Sequence, residues 1–115
     1  MEKTFEQVLA EAVFTSEVMD EIRLGFRNIV ILVEELEQLA DVSDKEVAQS
    51  VGELYMVLLK ATVAKVNDLL GILYEAKDEV ALQLLSKDLK EDLAGKEHYV
   101  VVALMLTGSD LGGIL

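Results

Sequence analysis

The chain has 115 residues, of which 52% are hydrophobic, and its 10 basic and 22 acidic side chains give a formal charge of -12. This length allows one domain, and the apolar fraction is too high for a disordered chain. The absence of cysteine excludes disulfides and thiolate metal sites, the single histidine excludes sites with two imidazoles, and the acidic balance argues against nucleic-acid and membrane binding.

The first predicted element is a long amphipathic helix over residues 5–40. Its apolar residues recur at alternating steps of three and four, which is the heptad pattern of helices that pack along a seam. The seam positions are Phe5, Val8, Ala12, Thr15, Met19, Ile22, Phe26, Ile29, Val33, Leu36 and Ala40. Breaks are conceivable at Ser16 and Gly25, but the pattern passes both unshifted, so we expect one unbroken helix.

A helix of this length is hard to bury in a compact monomer. It spans about 54 Å at 1.5 Å per residue, whereas a compact chain of this size has a radius of gyration of about 13 Å. We therefore predict that the seam contacts a second copy of the chain, or the second helix of that copy. The predicted interface residues are Phe5, Val8, Met19, Ile22, Phe26, Ile29, Val33 and Leu36. The alternative is a monomer whose first helix breaks near Ser16.

A turn is predicted at residues 40–44, where Ser43 and Glu46 have the spacing of a capping box. The second helix starts near Asp44 and carries apolar residues on two faces. One face begins with Val47, Val51, Leu54 and Leu58, and the other includes Leu59, Val63 and Leu70. A helix that is apolar on two sides is either central in a fold or shared with a partner.

The C-terminal part is predicted to be helical. A boundary near residues 76–78 is left open because no strong signal marks it, and the two apolar faces of the second helix are followed through it to Val80 and Leu84. A helix should end near Leu93, because Gly95 suits the position after a helix C-terminus. Residues 99–107 include three adjacent valines, which favour a strand, but a single strand would lack a partner and a helix is expected. Residues 108–115 contain three glycines and are predicted to form a flexible tail.

These elements predict an all-α antiparallel bundle, built on two long helices plus a short C-terminal helix and completed by oligomerisation. The domain is expected to cover residues 1–107. The N-terminal residues lack the features of a signal peptide, and the longest charge-free run, residues 98–109, is too short to span a membrane. We therefore expect a cytoplasmic homodimer with a coiled-coil-like seam.

Carboxylates are the only plentiful reactive groups. Glu34 and Glu37 are three residues apart, as are Glu75 and Asp78, and such pairs on facing helices can hold Mg²⁺. This spacing is similar to that of the all-α nucleotide pyrophosphohydrolases of the MazG type. The resemblance would imply that this chain is an Mg²⁺-dependent enzyme of the same kind. Position 38, where that motif has an acid, is Gln38. The preferred interpretation is that these acids are solvated, with no catalytic residue, metal or cofactor.

Two further features have a structural interpretation. Arg23 and Arg27 lie four residues apart and could grip a phosphate, but pairing with Asp20 or with acids of a neighbouring helix is the preferred interpretation. His98 lacks a nucleophile partner and is expected at a helix start or on the surface.

The predicted function is that of a non-enzymatic, oligomerising interaction module, such as an adaptor, chaperone or regulator. Residues 1–46 hold twelve acidic and four basic side chains, so a charge-steered partner would be a basic protein that meets the first helix. The alternatives are the Mg²⁺-dependent hydrolase and a structural accessory of a larger assembly, such as a phage or secretion component.

Overall fold

The computed structural model describes residues 2–111, and within them it contains helices and no strand. The all-α prediction is therefore confirmed. A 3-10 turn, Leu39–Asp41, follows the first helix. The helices are α1 (Phe5–Gln38), α2 (Lys45–Glu75), α3 (Glu79–Asp92) and α4 (Glu97–Thr107).

Helix α1 is unbroken over 34 residues, as the continuous heptad pattern predicts. A capping box that the sequence analysis did not identify fixes its start. The backbone N–H of Gln7 donates to the Thr4 hydroxyl at 3.1 Å, and the backbone N–H of Thr4 donates to Oε1 of Gln7 at 3.0 Å. Two of the backbone donors at the helix start are thereby satisfied.

Helices α1 and α2 are antiparallel neighbours. Gly25 faces Val66 and Gly52 faces Leu39, so the numbers of facing residues add to 91. The predicted cap of α2 was wrong by one residue. The side chain of Asp44, rather than that of Ser43, accepts hydrogen bonds from the first turn of α2, at 3.1 and 3.2 Å.

Ion pairs show that α3 runs parallel to α1. Arg23 pairs with Asp88 at 2.6 Å and Arg27 with Asp92 at 3.1 Å, and the partners in both pairs are 65 residues apart. Lys96, which precedes α4, lies 3.5 Å from Glu34 on the same flank of α1. Helices α3 and α4 therefore follow one another along one side of the α1–α2 pair.

All four helices contribute to one hydrophobic core. Its centre is formed by α1 and α2, and the predicted apolar face of α2 that includes Leu59, Val63 and Leu70 is the buried one. The body measures 63 × 24 × 20 Å, with a radius of gyration of 17.0 Å. The compact value for this length is about 13 Å, so the fold is a rod whose long axis follows α1.

The C-terminal helix is confirmed, since residues 99–107 lie within α4. Gly108 ends it with a left-handed backbone, φ 69°. Leu111 is 1% exposed and belongs to the core, which differs from the predicted flexible tail. Residues 112–115 of that tail lie outside the described residues. Among residues 2–111, no helix combines the length and apolar character needed to cross a membrane.

Candidate interaction surfaces

The N-terminal turns of α1 extend beyond the helices that cover the rest of it. Helix α2 ends at Glu75, which the antiparallel register places opposite residue 16. Helix α3 begins at Glu79, which the parallel register places beside residue 14. Residues 5–13 therefore extend past the ends of both helices, and Glu11 and Ala12 line depressions shared with residues of the end of α2 and the start of α3. We call this segment the N-terminal overhang, and its nine residues span about 13 Å.

The N-terminal overhang exposes apolar side chains that continue the core seam. Phe5 is 80% exposed, and Val8, Leu9 and Val13 are each about half exposed. Phe5, Val8 and Ala12 occupy the same face of α1 as Met19, which is buried. The seam that forms the core therefore continues beyond the core towards the N-terminus, and its first three positions, Phe5, Val8 and Ala12, face solvent.

A depression of about 360 Å³ lies beside the end of the N-terminal overhang. We call it the α1–α3 depression, because both helices line it. Val80 and Leu84, on its α3 side, are 69% and 51% exposed. Its other lining residues are the charged Arg23 and Asp78 and five small or apolar ones, Ala12, Thr15, Ser16, Met19 and Ala81.

The side of α1 that faces away from the core is acidic. Positions 17, 21, 24, 28, 31 and 35 follow one another at steps of four and three, so they share one face. We call this stripe the acidic outer face. Leu24 and Ile31 in this stripe are 56% and 54% exposed, with acids towards both ends of the stripe and the basic residues Lys65 and Arg27 at its edges. The residues are Glu17, Glu21, Leu24, Asn28, Ile31 and Glu35.

The residues predicted to form an interface have different environments in the structure. Phe5 and Val8 are exposed and Leu36 is half-buried. The other five are buried within the chain itself, which differs from the expectation that a partner covers them. The physical reason is that α2 of the same chain folds back along the seam from residue 16 onward. These five are Met19, Ile22, Phe26, Ile29 and Val33.

The carboxylates considered for Mg²⁺ are not brought together. Glu34 pairs with Lys96, and the Asp78 side chain accepts a hydrogen bond from the backbone of α3 at 3.0 Å. Glu75 faces residue 16, which is about 27 Å along α1 from Glu34. Glu37 lies further still from Glu75. No group of three or more potential metal ligands occurs among residues 2–111.

The two arginines have the structural role that the sequence analysis preferred. Arg23 forms ion pairs with both Asp20 and Asp88 at 2.6 Å, and Arg27 pairs with Asp92. These pairs fix α3 against α1. His98, in the first turn of α4, is exposed and its ring lies 4.0 Å from that of Tyr99.

The α1–α3 depression was not predicted, because the boundary near residues 76–78, which the structure places between α2 and α3, was left open. The signal was present in Asp78, since aspartate followed by an acidic first turn is typical of a helix N-terminus. Without that boundary, Val80 and Leu84 were assigned to the long second helix. The break is what brings them beside Ala12.

Comparison with known proteins gives no match, whether with protein-family models, curated proteins or solved structures.

Proposed function

We propose that the chain is a non-enzymatic helical interaction module that acts as a homodimer, as adaptors, chaperones and regulators often do. The observation that supports this function is the N-terminal overhang. It is helical, capped at its start by Thr4 and Gln7, and it continues the core seam with exposed apolar residues. A second copy offers the same face, and self-complementary faces are the basis of two-fold dimers.

The energetic reason lies in the apolar surface that a monomer leaves in water. Burying a large apolar side chain contributes about 1.5–3 kcal/mol relative to leaving it exposed. The N-terminal overhang carries Phe5, Val8, Leu9 and Val13 within nine residues. Part of this gain offsets the entropy lost on association. Since the segment is short, the interface is small and the dimer should exchange with monomer at micromolar concentrations.

Replacing Phe5 with aspartate is expected to convert the dimer into a folded monomer. The substitution places a charge on the seam, and it spares the core because Phe5 is 80% exposed. Light scattering coupled to gel filtration, at about 10 to 200 μM, should give roughly twice the 12.7 kDa chain mass for the wild type and one chain mass for the variant.

Val57→Asp is the matched control, since Val57 is 65% exposed but lies on α2, away from the N-terminal overhang. It should remain dimeric. Circular dichroism should show the same helix content for all three proteins. A wild type that stays monomeric over the whole concentration range would refute the proposed function.

We further propose that the acidic outer face receives a basic partner helix. Leu24 and Ile31 offer an apolar strip, and Glu17, Glu21 and Glu35 add negative charge towards its two ends. Complementary charge speeds encounter and selects the partner, while the apolar strip supplies contact area. An amphipathic helix with leucine on one face and lysine at the edges has the matching chemistry.

A designed leucine–lysine helical peptide should bind the wild type and lose affinity as NaCl rises from 50 to 300 mM, because salt screens the charges. The double variant Glu17→Gln, Glu21→Gln should bind about tenfold more weakly at 50 mM NaCl, which corresponds to roughly 1.4 kcal/mol. Fluorescence anisotropy measures both effects. Equal binding of a control peptide with glutamate in place of lysine would contradict the proposal.

A further inference from the structure

The dimer proposed above leaves open how the two copies are arranged, and the structure restricts that arrangement. We infer that two N-terminal overhangs pair antiparallel, and that Phe5 of each copy inserts into the α1–α3 depression of the other. This inference rests on the proposed homodimer. Its test separates the failure of this arrangement from the failure of the dimer itself.

The space beside the seam decides the direction. From residue 16 onward α2 occupies the side of α1 that the seam faces. A second α1 that ran parallel in this position would continue from its residue 13 into the space of α2. A second α1 that runs antiparallel passes beyond the start of α1 and away from the body of the first copy. Only the antiparallel arrangement therefore fits.

The end of α2 also sets the register of the pair. Because α2 ends opposite residue 16 of the first α1, and residues 2–4 of the second copy need room before its own α1, the second α1 must begin a few residues short of residue 16. Placing Phe5 of the second copy opposite Ala12 leaves this room. The two-fold axis then passes between residues 8 and 9, and the two Val8 side chains meet near it.

Side-chain size agrees with this register. Each phenylalanine, which is the largest residue of the overhang seam, then faces an alanine, which is the smallest. A parallel pair would instead place phenylalanine against phenylalanine and alanine against alanine. Alternating large and small residues across facing positions is the arrangement that fills a helix interface without voids.

The α1–α3 depression, which could accept the Phe5 ring, lies beside Ala12. The α1–α3 depression has a volume of about 360 Å³, and Val80 and Leu84 on its far side are exposed. Aromatic side chains are common binding hot spots where they pack into a pocket, and here the Phe5 ring would contact the aliphatic side chains that line the depression. The same contact would cover Val80, which is 69% exposed and has no other explanation in the fold.

Polar side chains at the edge of the pair are compatible as well. The antiparallel register brings Glu11 beside Gln7 of the second copy, on the same flank of the seam. Oε2 of Glu11 pairs with Lys3 of its own chain at 2.9 Å, and Oε1 of Gln7 accepts from the backbone of Thr4, so the Gln7 amide NH₂ group can donate to the other oxygen of the Glu11 carboxylate. Glu6 and Glu17 lie on the opposite face of α1 and are not brought together.

The chain has no cysteine, so single cysteines report the arrangement directly. Val8→Cys should form a disulfide-linked dimer under mild oxidation. Phe5→Cys alone and Ala12→Cys alone should not, because each cysteine lies about 10 Å along the helix axis from the same cysteine of the second chain. A mixture of the Phe5→Cys and Ala12→Cys proteins should form the mixed disulfide. All of these positions are exposed, so folding is preserved.

Val80→Asp tests the depression independently, and it should dissociate the dimer as Phe5→Asp does, although it lies on α3. Crosslinking of Phe5→Cys to itself as efficient as that of Val8→Cys would overturn the antiparallel arrangement. A wild-type dimer that persists while Val8→Cys fails to crosslink, or while Val80→Asp stays dimeric, would also overturn it but keep the proposed function. A wild type that is monomeric throughout refutes both.

Discussion

Replacing Phe26 with alanine is expected to lower the free energy of unfolding by about 3–5 kcal/mol. Phe26 is fully buried at the middle of the α1 seam, in the hydrophobic core to which all four helices contribute. The substitution removes the ring and leaves a cavity that the neighbouring side chains fill only in part. Since a typical domain is stable by only 5–15 kcal/mol, this is a large share of the total.

Urea denaturation followed by circular dichroism measures this loss. The comparison is best made in the Phe5→Asp background, where the expected monomer makes unfolding independent of protein concentration. Leu54→Ala is the control, because Leu54 is 58% exposed and should change the stability by no more than about 0.5 kcal/mol. A loss below 1 kcal/mol for Phe26→Ala would place this residue outside the core.

The role of Phe26 also shows what the heptad pattern could and could not predict. The pattern correctly identified α1 as one long helix with a single apolar seam. It could not distinguish a seam covered by a second copy from one covered by the chain's own second helix, because both leave the same periodicity. Phe26→Asp would therefore unfold the monomer rather than report on association.

The N-terminal overhang was not predictable from periodicity either. It arises because the turn fixes the register of the two helices, so that α2 starts beyond the end of α1 and, being of similar length, ends opposite residue 16. Local capping chemistry sets where each helix stops. At the turn, Asp44 provided the cap in preference to Ser43, and that choice between adjacent good caps is not determined by the sequence pattern.

Some sequence features did predict their structural roles. The spacing of Arg23 and Arg27 predicted pairing with Asp20 or with acids of a neighbouring helix, and the structure pairs them with Asp20 and with Asp88 and Asp92 of α3. The second apolar face of α2 was also identified, although only the face with Leu59 and Leu70 is buried. Whether a face is buried depends on which other helix packs against it, and that is decided by the whole fold.

The close approach of α1 and α2 depends on Gly25. A Cβ atom added there would overlap Cγ2 of Val66, a stiff β-branched side chain that is 1% exposed. By contrast, a Cβ atom added at Gly71 meets nothing within 4 Å. The two glycines lie within helices, so their substitution by alanine separates the effect of packing from that of helix propensity.

Gly71→Ala is expected to raise the free energy of unfolding by about 0.5–1 kcal/mol, because alanine is the better helix former. Gly25→Ala receives the same gain but forces α1 and α2 apart, and overpacking of this kind costs about 1–3 kcal/mol or more. We therefore expect it to lower the stability. Urea denaturation of both variants should give changes of opposite sign.

The double variant identifies the contact responsible. In a Val66→Ala background, Cγ2 is absent and the added methyl group at position 25 has room. Gly25→Ala should then become neutral or stabilising, so the two substitutions should be coupled by about 1–3 kcal/mol. If Gly25→Ala costs the same in both backgrounds, its effect does not arise from Val66. The antiparallel register that places the N-terminal overhang beyond α2 would then need revision.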